Sequence, residues 1–173
     1  MEIKKTKLEG LLIIKPKLFI DNRGFFFESY NQKLFETLGL PDNFVQDNQS
    51  ISNKNVLRGL HYQKQPYAQG KLVSVFQGAV LDVVVDIRPN SLTYGQHFKQ
   101  VLSSENKLML WIPPDFAHGF LSLENNTVFF YKCTNYYHKE SEAAILWNDP
   151  KLAIDWGTDC PNLSEKDAQA PLF

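Results

Sequence analysis

AVLDVVVDI, residues 79–87, decides the fold. It is rich in β-branched residues, and side chains along a strand alternate between two faces. One parity collects Ala79, Leu81, Val83, Val85 and Ile87, and the other Val80, Asp82, Val84 and Asp86. The first face is expected in the core and the second against something polar. Similar short apolar segments recur at 11–14, 24–30, 44–46, 56–62, 71–76, 96–102, 108–112, 119–123, 127–134 and 144–147. Turn signals separate them and no long helical segment interrupts them, the pattern of an all-β sandwich or barrel. One short helix is predicted at 32–38, with Asn31 as its cap, Leu34, Phe35 and Leu38 on one face, and Gly39 and Pro41 ending it.

The tail from residue 148 is dense in Pro and Asp and reads as loop, with a possible helical turn at SEKD, 164–167. Such a tail packs across a surface or lends residues to a cleft. No repeat or linker divides the chain. Its 173 residues fit one domain, 1–173, able to bury a core without disulfides or metals.

With 18 Lys+Arg against 19 Asp+Glu, there is no basic excess for a nucleic-acid backbone and no polybasic block for a membrane. Any anionic partner must be bound locally. The apolar run LLII, closed by Lys15 and Pro16, is too short for a signal-peptide core or a membrane span, so a cytoplasmic protein is expected. Cys133 and Cys160 lack CxxC spacing and are expected as reduced thiols.

Polar residues gather beside aromatics in four stretches: DNRGFFFESY (21–30), QDNQSIS (46–52), VLRGLHYQ with QGKLV (56–73) and IPPDFAHGF (112–120). A lone histidine in a strand such as VLRGLHYQ is ordinarily a hydrogen-bonded core residue. Together, however, these stretches supply Arg23, Glu28, Gln46, Asn48, Arg58, His61, Lys71 and His118, and inward positions of several strands converge at a barrel's mouth. A cupin-type metal site needs an HxH pair and a following carboxylate. Here Gln63 takes the second position and QKQPYAQGK carries no acid. His61 and His118 alone fall short of the usual three ligands, so no metal is expected.

Proton chemistry fits these residues better. A histidine titrates near ~6.5 and can take a proton at neutral pH, while a cation stabilises the oxyanion formed from a carbonyl. His61 with Lys71 therefore suits removal of a proton from carbon next to a ketone. Inversion needs an acid on the opposite face, and FFYKCTNYY offers Tyr131, Tyr136 and Tyr137 without a basis for choosing.

The series DNRGFFFESY, QDNQSIS, LRGLHYQ, KLV, GAVLDVVVDIR, IPPDFAHGF, YKCTNYY, WNDP and LSEKDAQAP resembles the dTDP-4-dehydrorhamnose 3,5-epimerase family of cupin-like jelly rolls, in order over nearly the whole chain. The resemblance implies an all-β, cupin-like double-stranded β-helix with one or two short helices. It also implies a cofactor-free isomerase that inverts C3 and C5 of a dTDP-4-keto-6-deoxyhexose. On that resemblance His61 is the base, Lys71 steadies the C4 enolate and Tyr131 is the acid. Asp167 of SEKD pairs with His61 and fixes its tautomer, with Asp82 in reserve for that role.

The resemblance further implies substrate binding by Arg23, Glu28, Gln46, Asn48, Arg58, His118, Glu142 and Lys166, the arginines suited to phosphate by their planar fork. Phe26 or Tyr137 could stack on thymine, although core packing is the ordinary role of each. Asp115 stands where the family often has glycine, and Gly70 sits in a loop that varies. Along a regular strand Arg58 and His61 would face opposite ways, so a bulge at Gly59 is expected to turn both toward one cleft. The family implies a homodimer with exchanged N-terminal strands, and LLII suits an added edge strand or pairing within its own chain. The competing readings are an epimerase acting at one centre, a ketoisomerase, or a non-catalytic sugar-nucleotide binding module.

Overall fold

The computed structural model describes residues 1–173. Its strands are β1 (Glu2–Lys5), β2 (Leu12–Lys15), β3 (Phe19–Asp21), β4 (Gly24–Phe26), β5 (Gln46–Ser52), β6 (Leu57–Gln63), β7 (Lys71–Gln77), β8 (Ala79–Asp86), β9 (His97–Ser103), β10 (Met109–Ile112), β11 (Phe116–Ser122), β12 (Thr127–Cys133) and β13 (Glu142–Ala144). The helices are α1 (Gln32–Thr37) and α2 (Glu165–Ala168). One sheet has the order β1, β2, β10, β7, β12, β5; a second has the order β13, β6, β11, β8, β9; β3 and β4 form a separate ribbon. The jelly roll is thus a sandwich of two sheets rather than a closed barrel.

Residues 79–87 form a strand as expected, but the roles of its faces differ from the sequence reading. Val80 and Val84 point between the sheets, where they pack with Val73, Val75, Phe116, Phe120 and Phe129. Val83 and Val85 lie on the outer face of the second sheet, under Ile145, Leu152, Ile154 and Trp156 of the C-terminal region. The tail covers that face, so both faces of the strand are buried. Each fully buried large apolar side chain contributes about 1.5–3 kcal/mol, and the tail is therefore part of the stability of the second sheet.

Asn31 caps α1 as expected, its side chain accepting from Leu34 N–H, and Phe35 is the buried residue of the helix. The predicted strand at 24–30 shortens to β4, whereas the one at 44–46 lies at the start of β5, which runs on to Ser52. β1 and β3 fall outside every predicted segment. β2, which contains most of LLII, is not an edge: it pairs with β1 and with β10 of its own chain. Cys133 is buried, Cys160 is exposed, and both are free thiols. No helix is long and apolar enough to cross a membrane.

Candidate active site

The register of the first sheet aligns its inward polar residues at one end of the sandwich. Cys133 lies opposite Lys71 on one side and Gln46 on the other, and Tyr131 lies opposite Val73 and Asn48. In the second sheet His118 lies opposite His61. These rows open onto a cavity of about 620 Å³ lined by Asn48, Arg58, His61, Lys71, His118, Tyr131, Glu142, Lys166 and Asp167 among others.

The expected bulge in β6 brings Arg58 and His61 to this cavity together. His118 and Phe120, two positions apart on β11, oppose His61 and Arg58, three apart on β6, so β6 carries the extra residue. Gly59 sits there with φ of +125°, and a Cβ on it would lie 2.5 Å from the Gly119 Cα and 2.8 Å from the His118 carbonyl oxygen. Only glycine accepts both the backbone conformation and the contact.

Asp167 reaches the cavity from the tail. The backbone of Asn162 bonds to Asn55 and Leu57 at the head of β6, and Ser164 then caps α2, accepting from Asp167 N–H at 3.1 Å. The Asp167 carboxylate is buried and lies 2.6 Å from His61 Nε2. Burial pushes its carboxyl up, but the His61 ring, Ser164 and the Gly59 N–H outweigh this and hold it below the usual carboxylate range. A carboxylate only accepts, so His61 Nε2 carries the hydrogen and Nδ1 is the basic nitrogen. Asp82, the reserve partner, belongs instead to His118, at 2.9 Å from its Nε2.

The Lys71 ammonium stands 5.7 Å from the centre of the Tyr131 ring. Burial pulls Lys71 below the usual lysine range against the opposing influence of Cys133, Asp82 and Glu142. Burial pushes the Tyr131 hydroxyl up, so it holds its proton at neutral pH. Of the three tyrosines open to the sequence, Tyr136 and Tyr137 are exposed and only Tyr131 lines the cavity.

At the rim, Lys166 Nζ meets Glu142 Oε2 at 2.6 Å, and the Tyr137 hydroxyl donates to the same oxygen at 3.0 Å. Arg58 donates to Ser52 Oγ and to the Ile51 carbonyl. Gln46, inward on β5 but outside the cavity lining, donates to Asn48 Oδ1 at 3.1 Å and accepts from Tyr137 N–H at 2.9 Å. Arg23 and Glu28 are not brought to the cavity. Arg23 pairs with its neighbour Asp21 on the β3–β4 ribbon, and Glu28 accepts from Asn31. Phe26, like Tyr137, is exposed rather than packed in the core.

Ser164 and Asn162 also line the cavity and were missed as site residues. The S-x-x-D spacing of a helix cap was the available signal for Ser164, while nothing local marks Asn162. No group of three or more His, Cys, Asp or Glu side chains is placed to hold a metal ion.

A jelly-roll sandwich with a histidine–carboxylate pair, a half-buried lysine and a protonated tyrosine around one cavity defines a candidate acid–base enzyme. Residues 5–173 match the family model described as dTDP-4-dehydrorhamnose 3,5-epimerase, and the chain belongs to that family of isomerases. It is 57% identical to the Escherichia coli dTDP-4-dehydrorhamnose 3,5-epimerase over 90% of this chain and 85% of that protein. The crystal structure of the Elizabethkingia anophelis enzyme of the same name superposes with a TM-score of 0.95 at 52% identity, covering 100% of this chain and 96% of that one. A Legionella pneumophila dTDP-6-deoxy-D-glucose-3,5-epimerase in complex with dTDP-4-keto-L-rhamnose gives 0.94 at 55% identity, covering 99% and 92%.

Proposed function

We propose that this chain, as one domain over residues 1–173, converts dTDP-4-dehydro-6-deoxy-D-glucose to dTDP-4-dehydro-L-rhamnose by inverting C3 and C5 without a cofactor. The observation that carries the reading is the His61–Asp167 pair opening on the same cavity as Lys71 and Tyr131.

In each inversion His61 Nδ1 takes the proton from carbon next to the C4 ketone. The C–H electron pair moves into an enolate, whose oxygen faces the Lys71 ammonium. Asp167 keeps the imidazolium oriented and stabilised. Tyr131 then donates its hydroxyl proton to the opposite face of the carbon. Solvent exchange returns one proton to Tyr131 and takes one from His61, so no proton is gained or lost overall. Arg58 and Asn48 suit the diphosphate, and Glu142, Lys166 and Tyr137 form a polar rim suited to the base.

Arg23 and Glu28 enter through a second copy of the chain. The ribbon that carries Arg23 presents Phe19, Ile20, Phe25 and Phe26 to solvent, an apolar surface of the kind that marks an interface. A homodimer in which this ribbon reaches the partner's cavity would supply both residues.

The test couples the protein to a 4-keto-reductase and follows NADPH oxidation with dTDP-4-dehydro-6-deoxy-D-glucose. Oxidation that depends on this protein and survives exhaustive chelation is expected, with dTDP-L-rhamnose as product. No oxidation, or oxidation restored only by a divalent cation, contradicts the reading.

A further inference from the structure

Asp82 lies on the inward face of β8, between Val80 and Val84, which are themselves fully buried. Its neighbours in register are Phe120 and Gln100. Oδ2 meets His118 Nε2 at 2.9 Å, whereas Oδ1 is buried without any hydrogen-bond partner. An unpaired carboxylate oxygen in an apolar interior is costly, and a valine in its place would continue the core. Packing alone does not account for Asp82.

Across the sandwich, Lys71 occupies the inward face of β7. Cys133 of β12 lies opposite it in register and the Tyr131 ring stands beside it, while Glu142 of β13 and Asp82 of β8 are the anions whose charge acts on it. Burial lowers the lysine, and Asp82 is among the groups opposing that effect. His118 lines the cavity, and with Nε2 tied to Asp82 only Nδ1 remains to meet a ligand.

We propose that Asp82 is a positioning residue of this site, the interior counter-charge that fixes His118 through Nε2 and, from the inward face of β8, supports the Lys71 ammonium, keeping His118 aimed at the oxygen that becomes negative during enolisation. It touches no substrate and acts through these two side chains. The inference rests on the proposed epimerase reading for its catalytic consequence and on the His118 contact for its geometry.

Asp82→Asn retains size and an acceptor but removes the charge. The expected result is a fall in kcat on the order of 10–100-fold with the affinity for dTDP unchanged. The alkaline limb of the pH–kcat profile should move to lower pH, because Lys71 loses an opposing anion. A profile of unchanged shape, with only thermal stability altered, would overturn the proposal. Nitrogen NMR of the His118 ring in the unmodified protein gives a second readout that does not depend on the variant folding. Nε2 is expected to carry the hydrogen, because the Asp82 carboxylate it meets only accepts, and an unprotonated Nε2 would overturn the proposal. If the unmodified protein fails to turn over the keto sugar, the epimerase reading fails, and the ring measurement still decides whether Asp82 holds His118.

Discussion

His61 and Asp167 stand 106 residues apart in the chain, yet their side chains meet at 2.6 Å between Nε2 and Oδ1. The strand that carries His61 is bulged at Gly59, and the Gly59 N–H is among the groups that hold the Asp167 carboxyl low. One backbone irregularity therefore turns the base toward the cavity and helps to seat its partner.

Removing the base separates chemistry from binding. His61→Ala should lose on the order of 10²–10⁴-fold in exchange of the protons next to the ketone. Calorimetric titration with dTDP should remain close to that of the unaltered protein, because the base is placed on the sugar rather than on the nucleotide. Retained exchange would remove His61 from the mechanism.

Tyr131→Phe deletes the acid and leaves the base in place. Deuterium should still enter the substrate from D2O, while conversion to the inverted sugar falls by at least about tenfold. Equal conversion by both proteins would assign the acid elsewhere.

The site was legible where chemistry and local pattern coincide. HYQ followed by KLV singled out His61 and Lys71 by their chemistry, whereas Tyr131 and Asp167 rested on the family resemblance, and the fold places all four at one cavity. The faces of residues 79–87 were misjudged because alternation reports two faces but not what covers each, and the covering tail lies some 60–70 residues away. β5 was underestimated because its inward residues, Gln46, Asn48 and Ser50, are polar: a strand that lines a polar cavity has no apolar stripe. Arg23 and Glu28 rested on motif alone, and a motif does not report tertiary placement: Arg23 sits on the β3–β4 ribbon and Glu28 just beyond it, away from the cavity of their own chain. Asp115 has φ of +63°, which explains why glycine suits that position, and its carboxylate accepts from the Gln65 side chain.

The Asp167 carboxyl is lowered on folding, so its contribution to stability is present above the ordinary carboxylate range near pH 3.8 and is lost as pH falls through the lower folded value. Urea unfolding of Asp167→Asn should therefore show a weaker loss of stability between neutral and acidic pH than the unaltered protein. Its kcat should fall on the order of 10²–10⁴-fold, because an amide no longer stabilises the imidazolium. Identical acid sensitivity of the two proteins would contradict the pairing.

Gly70 precedes Lys71, and a Cβ there would collide with the buried Trp111 ring. Gly70→Ala should cost about 1–3 kcal/mol by overpacking, read as a lower urea midpoint with unchanged slope. An unchanged midpoint would mean that the Trp111 ring moves aside freely, contrary to its packed position against α1 and β2.

The central claim is that one base serves two carbons flanking a ketone. Incubation of the protein with dTDP-4-keto-6-deoxyglucose in D2O, followed by proton NMR at C3 and C5, addresses it directly. Deuterium should enter both positions as the L-rhamno ketone accumulates. Exchange at one position alone would make this a single-centre epimerase, and exchange at neither, with dTDP still bound, would contradict the account.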